Sequence, residues 1–512
     1  MTTIDDRSTA PAGTGLGVEI NGLNSIDESE RTGQPRGLFW PWFAANVSVL
    51  GVSYGSFLLG FGISFWQATI VAIVGIVVSF LFCGFISLAG KRGSAPTLTL
   101  SRAAFGVNGN KLPSVISWLL TVGWETVLVS LAVLATSTVF KELGGGGGVL
   151  TQVIALIVVV LLVIGGGVFG FSVIMRMQVI ITIVTGILTI IYIILVWNQI
   201  DFVKVGALPN GNIQQLIGGF VFMMTGFGLG WVQAAADYSR YLPRKSSSGG
   251  VVGWTTFGSS LAPVILVIFG LLLAGSSTKL NGAIAGDPIG ALTSILPVWF
   301  LIPFAIVAVL GLIGGAVLDI YSSGIALLSA GVKIPRPVAA GIDGVIMIVG
   351  TVFIVFFSSS FIGPFQGFLI TLGTPIAAWC GIFLADMVLR RGDYADKDLF
   401  NPRGRYGNVN GLAVGALIVG TAVGWGLITN PITDAHWLNW LGYLLEPFGL
   451  GGRSGAWAYA NLGVLVALVI GFLAVIIFGR AAIRRQEAAT DVAGADAAGA
   501  DIADAAASGD RA

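Results

Sequence analysis

Two carboxylates stand where an apolar chain has little use for them. Glu125 lies in Thr121-Val122-Gly123-Trp124-Glu125-Thr126, and Asp319 lies in Gly314-Gly315-Ala316-Val317-Leu318-Asp319-Ile320-Tyr321-Ser322-Ser323-Gly324. A charge at the centre of a membrane helix costs about 2.5–3.5 kcal/mol on insertion scales. An acid kept there binds a ligand N–H group, carries a proton, or ties helices together. Trp124 directly precedes Glu125, so on a helix the two side chains point about 100° apart and can border one cavity. A flat indole beside a carboxylate suits a flat heterocycle: the ring stacks, and the acid accepts ring or exocyclic N–H groups. A third stretch, Thr225-Gly226-Phe227-Gly228-Leu229-Gly230-Trp231, sets three glycines at alternate positions between aromatics. They interrupt an apolar helix. Hydrocarbon cannot satisfy the freed N–H and C=O groups, so such a break is tolerated only against protein or a wet cavity.

The elements that must hold these residues are membrane helices. The chain has 512 residues, 55% hydrophobic and 10% charged, with a mean hydropathy of +0.91. A soluble protein carries about 25% charged residues, so the surplus apolar surface must face lipid. The net charge of +1 points to no nucleic-acid partner. Cys83 and Cys380 both fall inside apolar runs and read as small buried residues, not as a disulfide or metal site.

Residues 1–36 are polar and lack an apolar run, so they read as a disordered cytoplasmic tail and not as a signal peptide. Residues 486–512, rich in Ala, Asp and Gly, read as a second such tail. Between them, twelve apolar stretches have helical length: 39–62, 66–90, 112–140, 149–170, 178–198, 214–242, 251–275, 299–331, 338–360, 361–391, 411–429 and 456–480. They are numbered here as spans 1 to 12. With both termini cytoplasmic, only Lys141, Lys204, Lys279 and Arg453 of the 26 lysines and arginines fall on the outer side, as the positive-inside rule requires.

The spans also repeat. Span 1 contains Gly51-Val52-Ser53-Tyr54-Gly55-Ser56, a small-residue cluster near its middle, and span 6 contains the glycine break. The two lie five spans apart in order, so their orientations are opposite. Paired interrupted helices in matching positions point to an inverted-repeat transporter with its site at the breaks. Residues 37–405 then form a core of spans 1–5 and 6–10, and residues 406–485 add spans 11 and 12. Glu125 on span 3 and Asp319 on span 8 occupy equivalent helices, which suggests a shared cavity. An intramembrane enzyme would need a nucleophile–base pair or a metal cluster at depth. No histidine lies in a span, so an enzyme is not expected, nor is a cofactor or metal.

Four stretches carry a family resemblance. Trp42-Phe43-Ala44-Ala45-Asn46-Val47-Ser48 is followed by Gly62-Ile63-Ser64-Phe65-Trp66-Gln67-Ala68. Leu100-Ser101-Arg102-Ala103-Ala104-Phe105-Gly106-Val107-Asn108-Gly109 precedes Leu112-Pro113 and Val122-Gly123-Trp124. Span 6 ends in Ala236-Asp237-Tyr238-Ser239-Arg240-Tyr241-Leu242-Pro243, and span 8 has Tyr321-Ser322-Ser323-Gly324. Over residues 38–405 the chain resembles the purine–cytosine permease family, the nucleobase–cation symporters. The resemblance implies an all-helical, leucine-transporter-like fold and ion-coupled uptake of nucleobases or related rings such as hydantoins and allantoin. It also implies that an aromatic on span 3 and one at the span 6 break sandwich the ring. Trp124 matches the first. Gly228 stands at the second, with Phe227 and Trp231 as substitutes. Thr121 replaces a glutamine of cytosine-specific bacterial members, and Asp319 replaces an uncharged residue. Gly314-Gly315-Ala316 stands where sodium-coupled members carry hydroxyls, which favours protons.

The expectation is therefore a twelve-helix, multi-pass plasma-membrane symporter importing a purine or cytosine-like ring by alternating access. The expected substrate-binding residues are Ser53, Thr121, Trp124, Glu125, Phe227, Gly228, Trp231 and Asp319. Glu125 and Asp319 are the candidates for the coupling proton. The alternative cargo is allantoin, hydantoin, a vitamin ring or another small solute, with sodium as the alternative ion.

Overall fold

Apolar runs in a membrane have one way to satisfy every backbone group locally, which is the helix. The computed structural model describes residues 23, 25–169, 171–332, 334–432 and 435–488, and all its regular elements are helical. The expected tails at 1–22 and 489–512 lie outside the described residues, as do the side chains of Arg176, Tyr321, Lys333 and Arg336.

Nine helices among the described residues are long and apolar enough to cross a membrane. Two further pairs do so if each bent pair is one span: Pro35–Asn46 with Leu50–Leu59, bent by 68°, and Leu462–Phe478 with Arg480–Ala488, bent by 59°. Gly411–Trp425, at 15 residues, is shorter than the roughly 20 that a straight crossing needs.

The starts of spans 2 and 6 are legible in local chemistry. Ser64 and Gln67 close a reciprocal capping box on Phe65–Gly93, and Asn212 and Gln215 do the same for Ile213–Gly226. At the boundary of spans 9 and 10, Phe353–Phe357 forms a π-helical turn. Span 10 resumes at Ile362, with Pro364 in its first turn, where a missing N–H leaves nothing unpaired.

Packing sorts the spans into two groups. Spans 1, 2, 6 and 7 lie against one another, and spans 3, 4, 8 and 9 form the second group. Equivalent helices of the two repeats pair off in each. Spans 10, 11 and 12 pack together at the side.

Span 1 is broken, but not at its glycines. The chain leaves the helix at Val47-Ser48-Val49, upstream of the expected Gly51–Ser56. The glycines are a packing face. A Cβ on Gly55 would sit 2.3 Å from the Leu271 nitrogen, and one on Gly270 would sit 1.9 Å from the Val52 oxygen. Spans 1 and 7 therefore touch backbone to backbone, the usual role of small residues between membrane helices.

Ile26 to Arg36, which composition assigns to a tail, are folded onto the C-terminal ends of spans 2 and 6. The Ile26 amide donates to Ser94 O at 2.8 Å, and the Gly33 amide donates to Tyr241 O at 3.1 Å. The buried Arg31 guanidinium donates to Lys91 O at 2.5 Å and Leu242 O at 2.6 Å. Low hydropathy does not mark these residues as ordered, because backbone carbonyls of distant loops hold them. Glu28 clips this strap to Arg244 across 2.6 Å, and that hydrogen bond holds the Glu28 carboxyl below its usual range. A lowered acid contributes stability above its unfolded value and loses it as pH falls through the folded one. Glu28 is mostly exposed, so the contribution is under about 1 kcal/mol. Melting curves should show a small acid-side loss that Glu28→Gln lacks; identical pH profiles would count against the clip.

Candidate functional site

Where the two groups of spans face each other, a cavity of about 790 Å³ opens at the breaks. Span 1 lines it with Ala44 to Gly51 and Tyr54, and span 6 with Gly226, Phe227, Gly230, Trp231 and Gln233 and, further along, Asp237 to Tyr241 in part. Span 3 contributes Thr121 and Trp124, and span 8 contributes Gly315, Asp319 and Ser322.

The break in span 6 satisfies most of its own backbone. After Ile213–Gly226 the chain continues as short 3-10 turns, with Gly230 N–H donating to Phe227 O and Trp231 N–H to Gly228 O. Tyr54 donates its hydroxyl to Gly226 O at 3.1 Å. Span 2 supplies the rest: Gly228 N–H donates to Ser79 Oγ at 3.1 Å, and the Cys83 thiol donates to Gly228 O at 3.2 Å. Gly228 is thus turned to span 2 and does not line the cavity. Its Cβ would lie 2.1 Å from the Ser79 backbone, so no aromatic fits there.

The expected residues divide accordingly. Thr121, Trp124, Phe227, Trp231 and Asp319 are brought to one cavity. Trp124 lies against Gly230 and meets Phe365 and Phe368 edge-on, with centroids 5.9 and 5.7 Å away. Asp319 is half-buried, and no described residue hydrogen-bonds it. Ser53, Gly228 and Glu125 are not in the wall. The buried Ser53 hydroxyl donates to Pro288 O at 3.4 Å, on the short helix Pro288–Thr293 between spans 7 and 8. Glu125 is fully buried on the far side of span 3, towards Ser323 and Asp343. The 100° step from Trp124 therefore turns Glu125 out of the cavity instead of along its edge.

Some polar positions at or behind the cavity were not singled out from the sequence. Gln233 lines the cavity, and its buried Oε1 has no partner among the described residues. Asp343, in Gly341-Ile342-Asp343-Gly344, is a buried acid inside span 9. It lies five residues after the expected start of span 9 at 338, where an acid does not stand out by depth. Asp237, which pairing with Arg240 or a loop cap could explain, accepts both the Thr97 amide and hydroxyl.

The two ends of the cavity differ in exposure. It runs to Tyr238, which is 38% exposed, on the side that carries the strap. At the other end Tyr54, Phe57, Phe222, Phe227 and Phe365 are all buried and in ring contact, with Tyr54 and Phe227 4.5 Å apart. A bundle of membrane-length apolar helices, with two broken spans around an aromatic cavity, has the form of a multi-pass membrane carrier.

Comparison with known proteins narrows the class. The profile of permeases for cytosine/purines, uracil, thiamine and allantoin matches residues 25–445, and the chain belongs to that family. A Bacillus subtilis (strain 168) protein named as a purine-cytosine permease, YxlA, is 25% identical over 449 residues, covering 86% of this chain and 93% of the relative. The purine-cytosine permease FCY2 of Saccharomyces cerevisiae is 23% identical over 280 residues, about half of each chain. Among solved structures, the nucleobase-cation-symport-1 family transporter Mhp1, closed with bromovinylhydantoin bound, superposes with a TM-score of 0.63 at 16% identity. That match covers 92% of this chain and 99% of Mhp1. The fold is the leucine-transporter-like one, with broken spans 1 and 6.

Proposed function

We propose that this protein imports a nucleobase, a purine or a cytosine-like ring, across the plasma membrane by proton symport, with both termini cytoplasmic. The observation that carries the reading is the cavity at the two breaks, where Trp124, Phe227 and Trp231 offer flat faces and Asp319 offers an unpaired carboxylate. A planar ring stacks on the indole while the acid accepts its N–H groups. Gln233 Oε1 is a further acceptor at the same wall. The difference in exposure between the two ends supports alternating access, with the cavity facing the cytoplasm and the aromatic cluster closing the outer path. Glu125 and Asp319 are the proton-coupling candidates.

A second reading keeps the fold and changes the cargo. A carboxylate among aromatic faces also suits a cationic vitamin ring, because such faces attract positive charge. Thiamine stands in the family's description. Allantoin and hydantoin share the flat N–H edge of a base.

The deciding experiment is uptake of radiolabelled adenine, cytosine, uracil, allantoin and thiamine into proteoliposomes under imposed proton or sodium gradients. Accumulation of one base under an inward proton gradient alone is expected. Accumulation driven only by sodium, or of thiamine alone, would overturn the coupling or the cargo. A thermal-shift panel reads the same preference, since a ligand stabilises the state that binds it.

A further inference from the structure

Behind the cavity wall, spans 3, 8 and 9 bring three carboxyls together. Asp319 faces the cavity. Glu125 is 0% exposed, and neither of its buried oxygens has a hydrogen-bond partner among the described residues. The groups that act on it are the Ser323 hydroxyl and the carboxyls of Asp343 and Asp319. Asp343 is equally buried. Trp118 Nε1 donates to its Oδ1 at 2.7 Å, and Ser323 Oγ lies 2.5 Å from its Oδ2. The same Ser323 oxygen lies 2.8 Å from Ile320 O.

Counting protons makes this cluster informative. A hydroxyl has one to give, and a backbone carbonyl can only accept. When Ser323 donates to Ile320 O, its short contact with Asp343 needs a proton on the carboxyl. The unpartnered oxygens of Glu125 likewise need a donor that no described side chain provides. Among the described residues none of the three acids enters an ion pair. Among the described residues, the other elements packed on span 3 carry two further acids, and both are engaged. Asp287 accepts from Thr138 and the Gly290 amide, and Asp386 pairs with Arg390. Among the described residues no cluster of His, Cys, Asp or Glu has the form of a metal site.

We propose that Glu125 and Asp343, with the Ser323 hydroxyl beside both, form a proton-binding site behind the substrate cavity. Asp319, one helical turn from Ser323 on span 8, relays the proton between cavity water and this pair. In the loading step the O–H bond of the Asp319 carboxylic acid breaks and an O–H bond forms on Glu125. No other bond changes, and the gradient supplies the proton. Substrate and proton then occupy separate places, and span 8 touches both. Ligand contact with Asp319 alters its readiness to pass the proton, which couples the two.

The site's transport role rests on the reading of the chain as a proton-coupled carrier, but one readout does not. Infrared spectra of the full-length protein, recorded across pH without substrate, report the C=O stretch of buried carboxylic acids. That band should be lost in part in Glu125→Gln and Asp343→Asn, and shifted in Ser323→Ala, which keeps both acids and guards against misfolding of the others. A band unchanged in all three variants overturns the site. In proteoliposomes carrying adenine or cytosine, Asp343→Asn should keep exchange at equal pH and lose accumulation driven by a proton gradient. Full gradient-driven accumulation overturns the coupling. If the unmodified protein moves neither base but the band responds as stated, the cargo reading fails and the site stands.

Discussion

Replacing Trp124 by alanine weakens binding of the transported ring by roughly ten- to a hundredfold. Stacking of a base on an aromatic side chain is worth about 1–3 kcal/mol by alanine substitution, and each 1.4 kcal/mol is about tenfold in affinity. Trp124 is the residue to test because its ring is fixed before the ligand arrives. Phe365 and Phe368 meet it edge-on, and Gly230 leaves it room across the cavity. Little conformational freedom is then lost on binding, so most of the stacking energy reaches the dissociation constant. Trp124→Phe keeps a face and should recover part of the loss. Isothermal titration of the preferred ring against the three proteins measures this. Equal dissociation constants in all three would remove the indole from the binding surface.

The second large effect falls on Asp319. Its carboxyl opens on the cavity with no hydrogen bond from any described residue. A ligand N–H supplies the missing donor, and hydrogen bonds to charged groups are worth about 1.5–3 kcal/mol. Asp319→Ala should therefore cost about ten- to a hundredfold in affinity for N–H-rich rings. Asp319→Asn is more telling. It keeps one acceptor and adds two donors, so preference should move towards rings that present carbonyl oxygens. The same variant cannot relay a proton, and accumulation under a proton gradient should fall even for a ligand it still binds. Competition assays with several bases, run beside gradient-driven uptake, separate the two roles. Unchanged specificity together with unchanged pH dependence would leave Asp319 no part in either.

Glu125 and Trp124 show how far neighbouring residues can be read. Side-chain type and depth marked both correctly as exceptional for a membrane helix. Adjacency suggested that they share a cavity, yet a helix turns consecutive side chains to different faces. Trp124 meets spans 6 and 10, while Glu125 meets spans 8 and 9. The glycine clusters teach the same lesson. Gly51 and Gly55 resemble a break in composition, but they let span 1 touch span 7, and the bend lies at Val47–Val49. The Gly226–Gly230 stretch is a true break, and even there Gly228 serves contact with span 2.

The amino-acid sequence by itself determined the class of this protein. Its hydropathy demands helices in a bilayer, and its interrupted spans in matching positions make a repeat. Its motifs place residues 25–445 in a permease family. These are properties of local composition and order along the chain, so they survive without coordinates. Only the tertiary structure decided which wall each polar group faces. It put Asp319 in the cavity and Glu125 behind it, and brought Asp343 from span 9 to Ser323 on span 8. It also held Arg31 of the presumed tail between two distant carbonyls. Such partners lie 20 to 211 residues apart. Rotation of one packed helix against another decides them, and no local pattern encodes that rotation.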